Sequence, residues 1–99
     1  MIQKKQFFDL LALAHTLREK NPWHQKQRIE TLSKHVLEEA TEVHTAIQEK
    51  DWEEVQEEIG DLMWVLAIVA EVAQEKGLFS MQDSIDTIYK KIIRRNPHI

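Results

Sequence analysis

A chain of 99 residues, 42% hydrophobic and 30% charged, suits one domain (residues 1–99) and is too apolar to stay disordered. Its formal charge of −4 argues against a protein that coats nucleic acid, and the lack of cysteine excludes disulfides and thiolate metal sites. The longest apolar run, Leu62 to Ala70, is nine residues, about half of what a bilayer crossing needs. No basic-then-apolar leader opens Met1-Ile2-Gln3-Lys4-Lys5, so a cytoplasmic protein with no membrane partner is expected.

Two glycines and two prolines leave little material for hairpins, and the expected class is all-α. The first helix runs from about Lys4 to Lys20, with Phe7, Leu10, Leu11, Ala14 and Leu17 at helical spacing. Asn21-Pro22 ends it, because proline disfavours helical geometry in the residue before it. A second helix covers about Gln27 to Glu49. A third begins after Asp51, an N-cap with Glu54 three positions on, and stops at Gly77. Ser80 caps a fourth, which carries Ile85, Ile88, Tyr89 and Ile92 and ends before Pro97. Short connections between four helices predict a four-helix bundle-like fold. The third helix is apolar on nearly every side from Leu62 to Ala70, more than a small bundle covers. A homo-oligomer is therefore expected, with part of that helix, including Trp64, in the subunit contact.

Against this pattern stand four carboxylates, Glu39, Glu42, Glu58 and Asp61, arranged as two i, i+3 pairs. Such spacing puts both members of a pair on one side of a helix. Glu39 falls in the stripe Leu32, Val36, Val43, Ala46, and Glu58 in the stripe Leu62, Val65, Val69, Val72, so both continue the predicted core. Burying an unpartnered carboxylate costs several kcal/mol. No lysine or arginine lies at i±3 or i±4 from any of the four, and only His35 is available to Glu39. An antiparallel hairpin would bring the two pairs level, and a divalent cation would hold them together. Oxygen-only ligation favours Mg²⁺, Mn²⁺ or Ca²⁺. No Glu-x-x-His pair or EF-hand loop is present to indicate iron or a calcium sensor. Mg²⁺ held this way keeps positions open for water and substrate phosphates, which points to phosphate-ester or phosphoanhydride chemistry.

Phosphates also call for cations, and the one dense basic cluster is Lys90, Lys91, Arg94 and Arg95. Lys91 and Arg95 share a face, although basic residues at a helix C-terminus also simply complement the dipole. Trp23 either stacks on a base or plugs the end of the bundle. The histidines show no ligand-like spacing.

Glu38-Glu39-Ala-Thr-Glu42 followed by Glu58-Ile-Gly-Asp61 resembles the EExxE…ExxD signature of the MazG-like, all-α nucleoside triphosphate pyrophosphohydrolases. Asn21-Pro22-Trp23 with Gln27, the acidic Asp51-Trp52-Glu53-Glu54, Gly77-Leu78-Phe79 and the closing Lys91 to His98 segment are similar to that family as well. The resemblance implies cleavage of a nucleoside triphosphate to monophosphate and pyrophosphate with Mg²⁺, for which Mn²⁺ can substitute. It implies metal ligation by Glu39, Glu42, Glu58 and Asp61, and phosphate contacts by Lys91 and Arg95. It also implies a dimer or tetramer with sites shared between subunits, and house-cleaning of nucleotide pools with a lean toward deoxynucleotides. Glu38, the first residue of the signature, is the candidate either to bind a further metal or to position the attacking water and accept its proton, with Trp23 at the substrate. His24 stands where the family has aspartate, and Arg28-Ile29 where it often has Thr-His, so base specificity does not carry over. Two other readings compete: a helical oligomerisation or partner-binding module without catalysis, and a different Mg²⁺-dependent phosphohydrolase.

Overall fold

The computed structural model describes residues 3–98; Met1, Ile2 and Ile99, the ends of the expected domain, lie outside the described residues. Five α-helices and no strands make up the described chain: α1 (Phe7–Lys20), α2 (Pro22–Gln25), α3 (Ile29–Gln48), α4 (Trp52–Glu75) and α5 (Met81–Arg95). Four correspond to the expected helices. The fifth, α2, is a single turn that the sequence reading ran into the connection.

Local chemistry sets the boundaries. Asn21 closes α1 and opens α2, its Oδ1 accepting from the backbone N–H of Trp23 (2.9 Å) and His24 (3.3 Å), with Pro22 at the first helical position. Helix α3 starts two residues later than expected, where the Thr31 hydroxyl accepts from the Arg28 N–H at 3.0 Å. Asp51 caps α4, accepting from Glu54 N–H at 3.2 Å. Both α3 and α4 end in Schellman turns, with bonds of 3.2 Å from Asp51 N–H to the Ala46 carbonyl and 2.9 Å from Leu78 N–H to the Ala73 carbonyl. Gly77 takes the left-handed position in the second turn (φ 73°), but Lys50 takes it in the first (φ 56°). Ser80 and Asp83 form a reciprocal capping box at the start of α5.

Helix α4 is the centre of the packing, with α1 and α3 laid against it and not against each other. Ala14 from α1, Leu32 from α3 and Ala67, Ile68 and Val72 from α4 form the core, flanked by Leu11, Ile29, Trp64 and Val69. Trp64 is partly buried against this core, its ring 6.0 Å from that of His24. The arrangement corrects one expectation: the bundle is not closed by the last helix, since α5 approaches only α4 and buries none of its residues completely. Exposed apolar residues remain beside and on α5, at Leu78, Phe79, Ile88 and Ile92, and on α4 at Ile59 and Leu66.

Arg18 ties the α1–α2 corner to α4. Its guanidinium donates to both carboxylate oxygens of Glu75, at 2.8 and 3.2 Å, and to the backbone carbonyls of Gln27 (2.8 Å) and His24. This fork geometry suits arginine and not lysine. It holds α2 so that His24 is buried between the rings of Trp23 and Trp64.

Candidate metal centre

Helices α3 and α4 form an antiparallel hairpin in which each pair of facing acids lies the same distance from the turn. Glu42 is thereby level with Glu58, and Glu39 with Asp61. One carboxylate oxygen from each of the four lies within 4.8 Å of the others. The sequence therefore placed these side chains correctly relative to one another, because the stripe that aligns Glu39 with Leu32 and Ala46 is the stripe that packs on α4. Leu32 and Ala46 are buried, with Val36 and Val43 half-buried between them.

The electrostatics of the group are unfavourable as it stands. Glu58 is only 7% exposed, and Oε2 of both Glu39 and Glu58 is buried without a hydrogen-bond partner. Burial and the neighbouring Glu42 carboxylate push Glu39 above the usual carboxylate range. Contact with the carboxyls of Glu42 and Glu54, reinforced by burial, pushes Glu58 up to about 8. Among the described residues, no lysine or arginine pairs with any of the four. An all-oxygen set of this charge fits a divalent metal ion, which would satisfy the two orphaned oxygens and cancel the repulsion.

Beside the group, between α3 and α4, opens a cleft of about 420 Å³ lined by Glu42, Thr45, Ala46, Glu49, Glu54 and Glu58. A larger hollow of about 550 Å³ lies near α1 and the end of α4, lined by His15, Arg18, Glu71 and Glu75. Its charges are already matched, with His15 bracketed by Glu19 (2.7 Å) and Glu71 (2.6 Å) and Arg18 held by Glu75. Unmet chemical demand is thus concentrated in the α3–α4 acids.

The model of the MazG nucleotide pyrophosphohydrolase domain matches residues 27–99, which include all four carboxylates. The chain belongs to this family. It is 37% identical over 95 residues to the nucleoside triphosphate pyrophosphohydrolase/pyrophosphatase MazG of Thermotoga maritima, covering 94% of this chain and 37% of that protein. It is 36% identical over 93 residues to a nucleoside triphosphate pyrophosphohydrolase of Escherichia coli, covering 91% of this chain and 35% of the relative. The chain thus spans about a third of the length of these relatives. A MazG-related protein from Thermotoga maritima of known crystal structure superposes with a TM-score of 0.80 at 34% identity, over 91% of this chain and 79% of that one.

The remaining residues singled out on MazG grounds fall in different places. Glu38 is exposed beside the cluster and outside the four-carboxylate group, with its carboxylate 3.9 Å from His35 Nδ1. His35 therefore faces Glu38 and not Glu39. Trp23 is half exposed and does not plug the bundle; its ring sits 6.2 Å from that of His35, one turn of α3 before Glu39. Lys91 and Arg95 lie on α5, which does not approach α3, so one protomer does not gather them with the acids. None of the described helices is long and apolar enough to cross a membrane. Sequence reasoning missed Arg18 and Glu54. The first has no local signal, while Glu54 is announced by its position one turn before Glu58.

Proposed function

We propose that the chain is a Mg²⁺-dependent nucleoside triphosphate pyrophosphohydrolase that releases a nucleoside monophosphate and pyrophosphate. The observation that carries this reading is the packed group of four acids with two buried, unpartnered oxygens, in a chain of the MazG family. Glu39, Glu42, Glu58 and Asp61 hold the ion, and Mn²⁺ replaces it. When bound, Mg²⁺ supplies charge neutralisation at the phosphates and makes water more acidic. Glu38, free of the packed group and exposed, accepts the proton of the attacking water. Trp23 presents an exposed indole face for stacking on the base.

Lys91 and Arg95 hold the leaving pyrophosphate from a second copy of the chain, in a dimer or tetramer. The support is the unburied apolar face of α5, with Ile88 49% and Ile92 44% exposed, which a partner would cover. The substrate class fits house-cleaning of cytoplasmic nucleotide pools, with deoxynucleotides preferred.

The test is a panel of canonical and modified (d)NTPs incubated with Mg²⁺, with products resolved by anion exchange. Monophosphate plus pyrophosphate supports the reading. Release of orthophosphate transfers it to another class of phosphohydrolase, and no turnover of any member favours the non-catalytic binding module.

A further inference from the structure

Beside the acids, four rings stand in a row. Trp64 of α4 meets His24 of α2 with 6.0 Å between ring centres, His24 meets Trp23 at 5.0 Å, and Trp23 meets His35 of α3 at 6.2 Å, each pair edge to face. One end of the row, Trp64, comes three residues after Asp61, and the other, His35, four residues before Glu39. Both ends therefore stand about one helical turn from the acid group, on the side away from the α3–α4 turn.

The two inner rings are held differently. His24 is buried and its backbone is fixed, its N–H donating to Asn21 Oδ1 at 3.3 Å and its carbonyl accepting from the Arg18 guanidinium. The imidazole has no such anchor, for Nδ1 is buried without a hydrogen-bond partner. That unmade bond costs stability which an apolar ring of similar size would not lose. Packing between two indoles is thus what the side chain contributes. Burial, with Arg18 nearby, lowers its proton affinity and favours the uncharged ring. Trp23, by contrast, is half exposed on the four-residue helix α2, and among the described residues the rings that meet it are those of His24 and His35. A large side chain so lightly supported has rotamer freedom to lose when a ligand settles on it.

We propose that His24 is a positioning residue: wedged edge-on between Trp64 and Trp23, it fixes the Trp23 indole beside the acids in the orientation in which a nucleobase stacks on it. This role rests on the reading of Trp23 as the stacking surface and adds what holds that surface still. A pre-set indole spares the nucleotide the cost of ordering it, so the effect falls on binding and not on the chemical step. Because stacking tolerates any base, the wedge strengthens binding of nucleotides as a class without choosing among them.

The experiment is steady-state kinetics with Mg²⁺ on dATP, dGTP, dCTP and dTTP, with inorganic tripolyphosphate as a base-free competitor, for wild type, Trp23→Ala, His24→Ala, His24→Phe and the double alanine variant. His24→Ala should raise KM roughly 3–10-fold, the cost of ordering one large side chain, with kcat unchanged. Tripolyphosphate should inhibit every variant as it does wild type, His24→Phe should restore KM, and His24→Ala should add nothing once Trp23 is alanine. The Asn21 and Arg18 bonds use only the backbone of residue 24, so His24→Ala keeps them. Where its melt falls below the assay temperature, His24→Leu, which fills the space without a ring edge, replaces it with the same expected KM. A normal KM in His24→Ala beside a raised KM in Trp23→Ala overturns the positioning role alone. So does a rise that persists in the Trp23→Ala background, that His24→Phe fails to reverse, or that is matched by weaker tripolyphosphate inhibition. A normal KM in Trp23→Ala overturns the stacking reading as well, and no turnover of any of the four dNTPs by wild type overturns the hydrolase reading beneath both.

Discussion

Replacing Glu39 with glutamine should stabilise the metal-free protein and abolish its response to Mg²⁺. In the metal-free state Glu39 Oε2 is buried, unpartnered and surrounded by Glu42, Glu58 and Asp61. A buried polar atom left unsatisfied costs about 1–3 kcal/mol. Glutamine keeps the shape, removes the charge and brings an amide N–H that can donate to the adjacent carboxylates. Recovering that penalty should raise the melting temperature in EDTA by roughly 5–20 °C for a domain of this size. Wild type should gain instead from the ion: at one hundred times its dissociation constant, Mg²⁺ adds about 2.7 kcal/mol, or roughly 10–20 °C. The assay is calorimetric melting of both proteins, with EDTA and with saturating Mg²⁺, at one fixed protein concentration. The two effects carry opposite signs, so a general change in packing cannot imitate them. A Glu39→Gln protein that melts below wild type in EDTA, or gains as much from Mg²⁺, would refute the reasoning.

Metal-free wild type should lose stability as pH rises from 6.5 to 8. Glu58, pushed up to about 8, and His15, raised by Glu71 and Glu19, bind more protons folded than unfolded across that window. His24, lowered by burial, acts in the opposite direction, an effect that fades as pH rises past its unfolded value of 6.5. Urea titrations in EDTA across this range check the slope, and saturating Mg²⁺ should reverse it because the ion binds the deprotonated acids. Arg18→Ala should cost about 2–3 kcal/mol in urea denaturation, by stranding the Gln27 and His24 carbonyls and Glu75, and Arg18→Lys should recover little of it. Lys50→Gly should add about 1 kcal/mol, because position 50 has φ 56° and glycine adopts that geometry without strain.

What could be read from the sequence is what depends on helical period and local caps. The Leu32–Ala46 stripe, the caps at Asp51 and Ser80 and the stop at Gly77 follow from spacings of a few residues, and the structure has each of them. The four acids could be read for the same reason: a period of 3.6 aligns Glu39 and Glu58 with core positions, i, i+3 spacing sets Glu42 and Asp61 beside them, and a short connection fixes the register between helices. Arg18 could not, since its partners Gln27, His24 and Glu75 meet only once the α1–α2 corner folds back. Lys50 hides a left-handed turn that glycine or asparagine would have announced. How far Trp64 packs inward depended on which helix became central, and a hydrophobic pattern running all round α4 does not say which neighbours cover it.

Along α4 the fold separates its two tasks. Between Ala67 and Ala73 the helix carries most of the protomer's fully buried apolar residues, whereas Glu54, Glu58 and Asp61 lie in its first half, where Glu58 is the one buried residue. Core packing at one end therefore anchors the hairpin while the acids are crowded together at the other. One cap and a Schellman turn close this end locally, through Asp51 and the Ala46 carbonyl, without using the side chains of the four acids. The acids are consequently left with free oxygens, held at ligand spacing by a scaffold that does not need their hydrogen bonds. A group tolerated at a cost to stability, and kept out of every structural bond nearby, is what a preorganised metal centre requires: the ion meets ligands already in place and displaces no contact on which the fold depends.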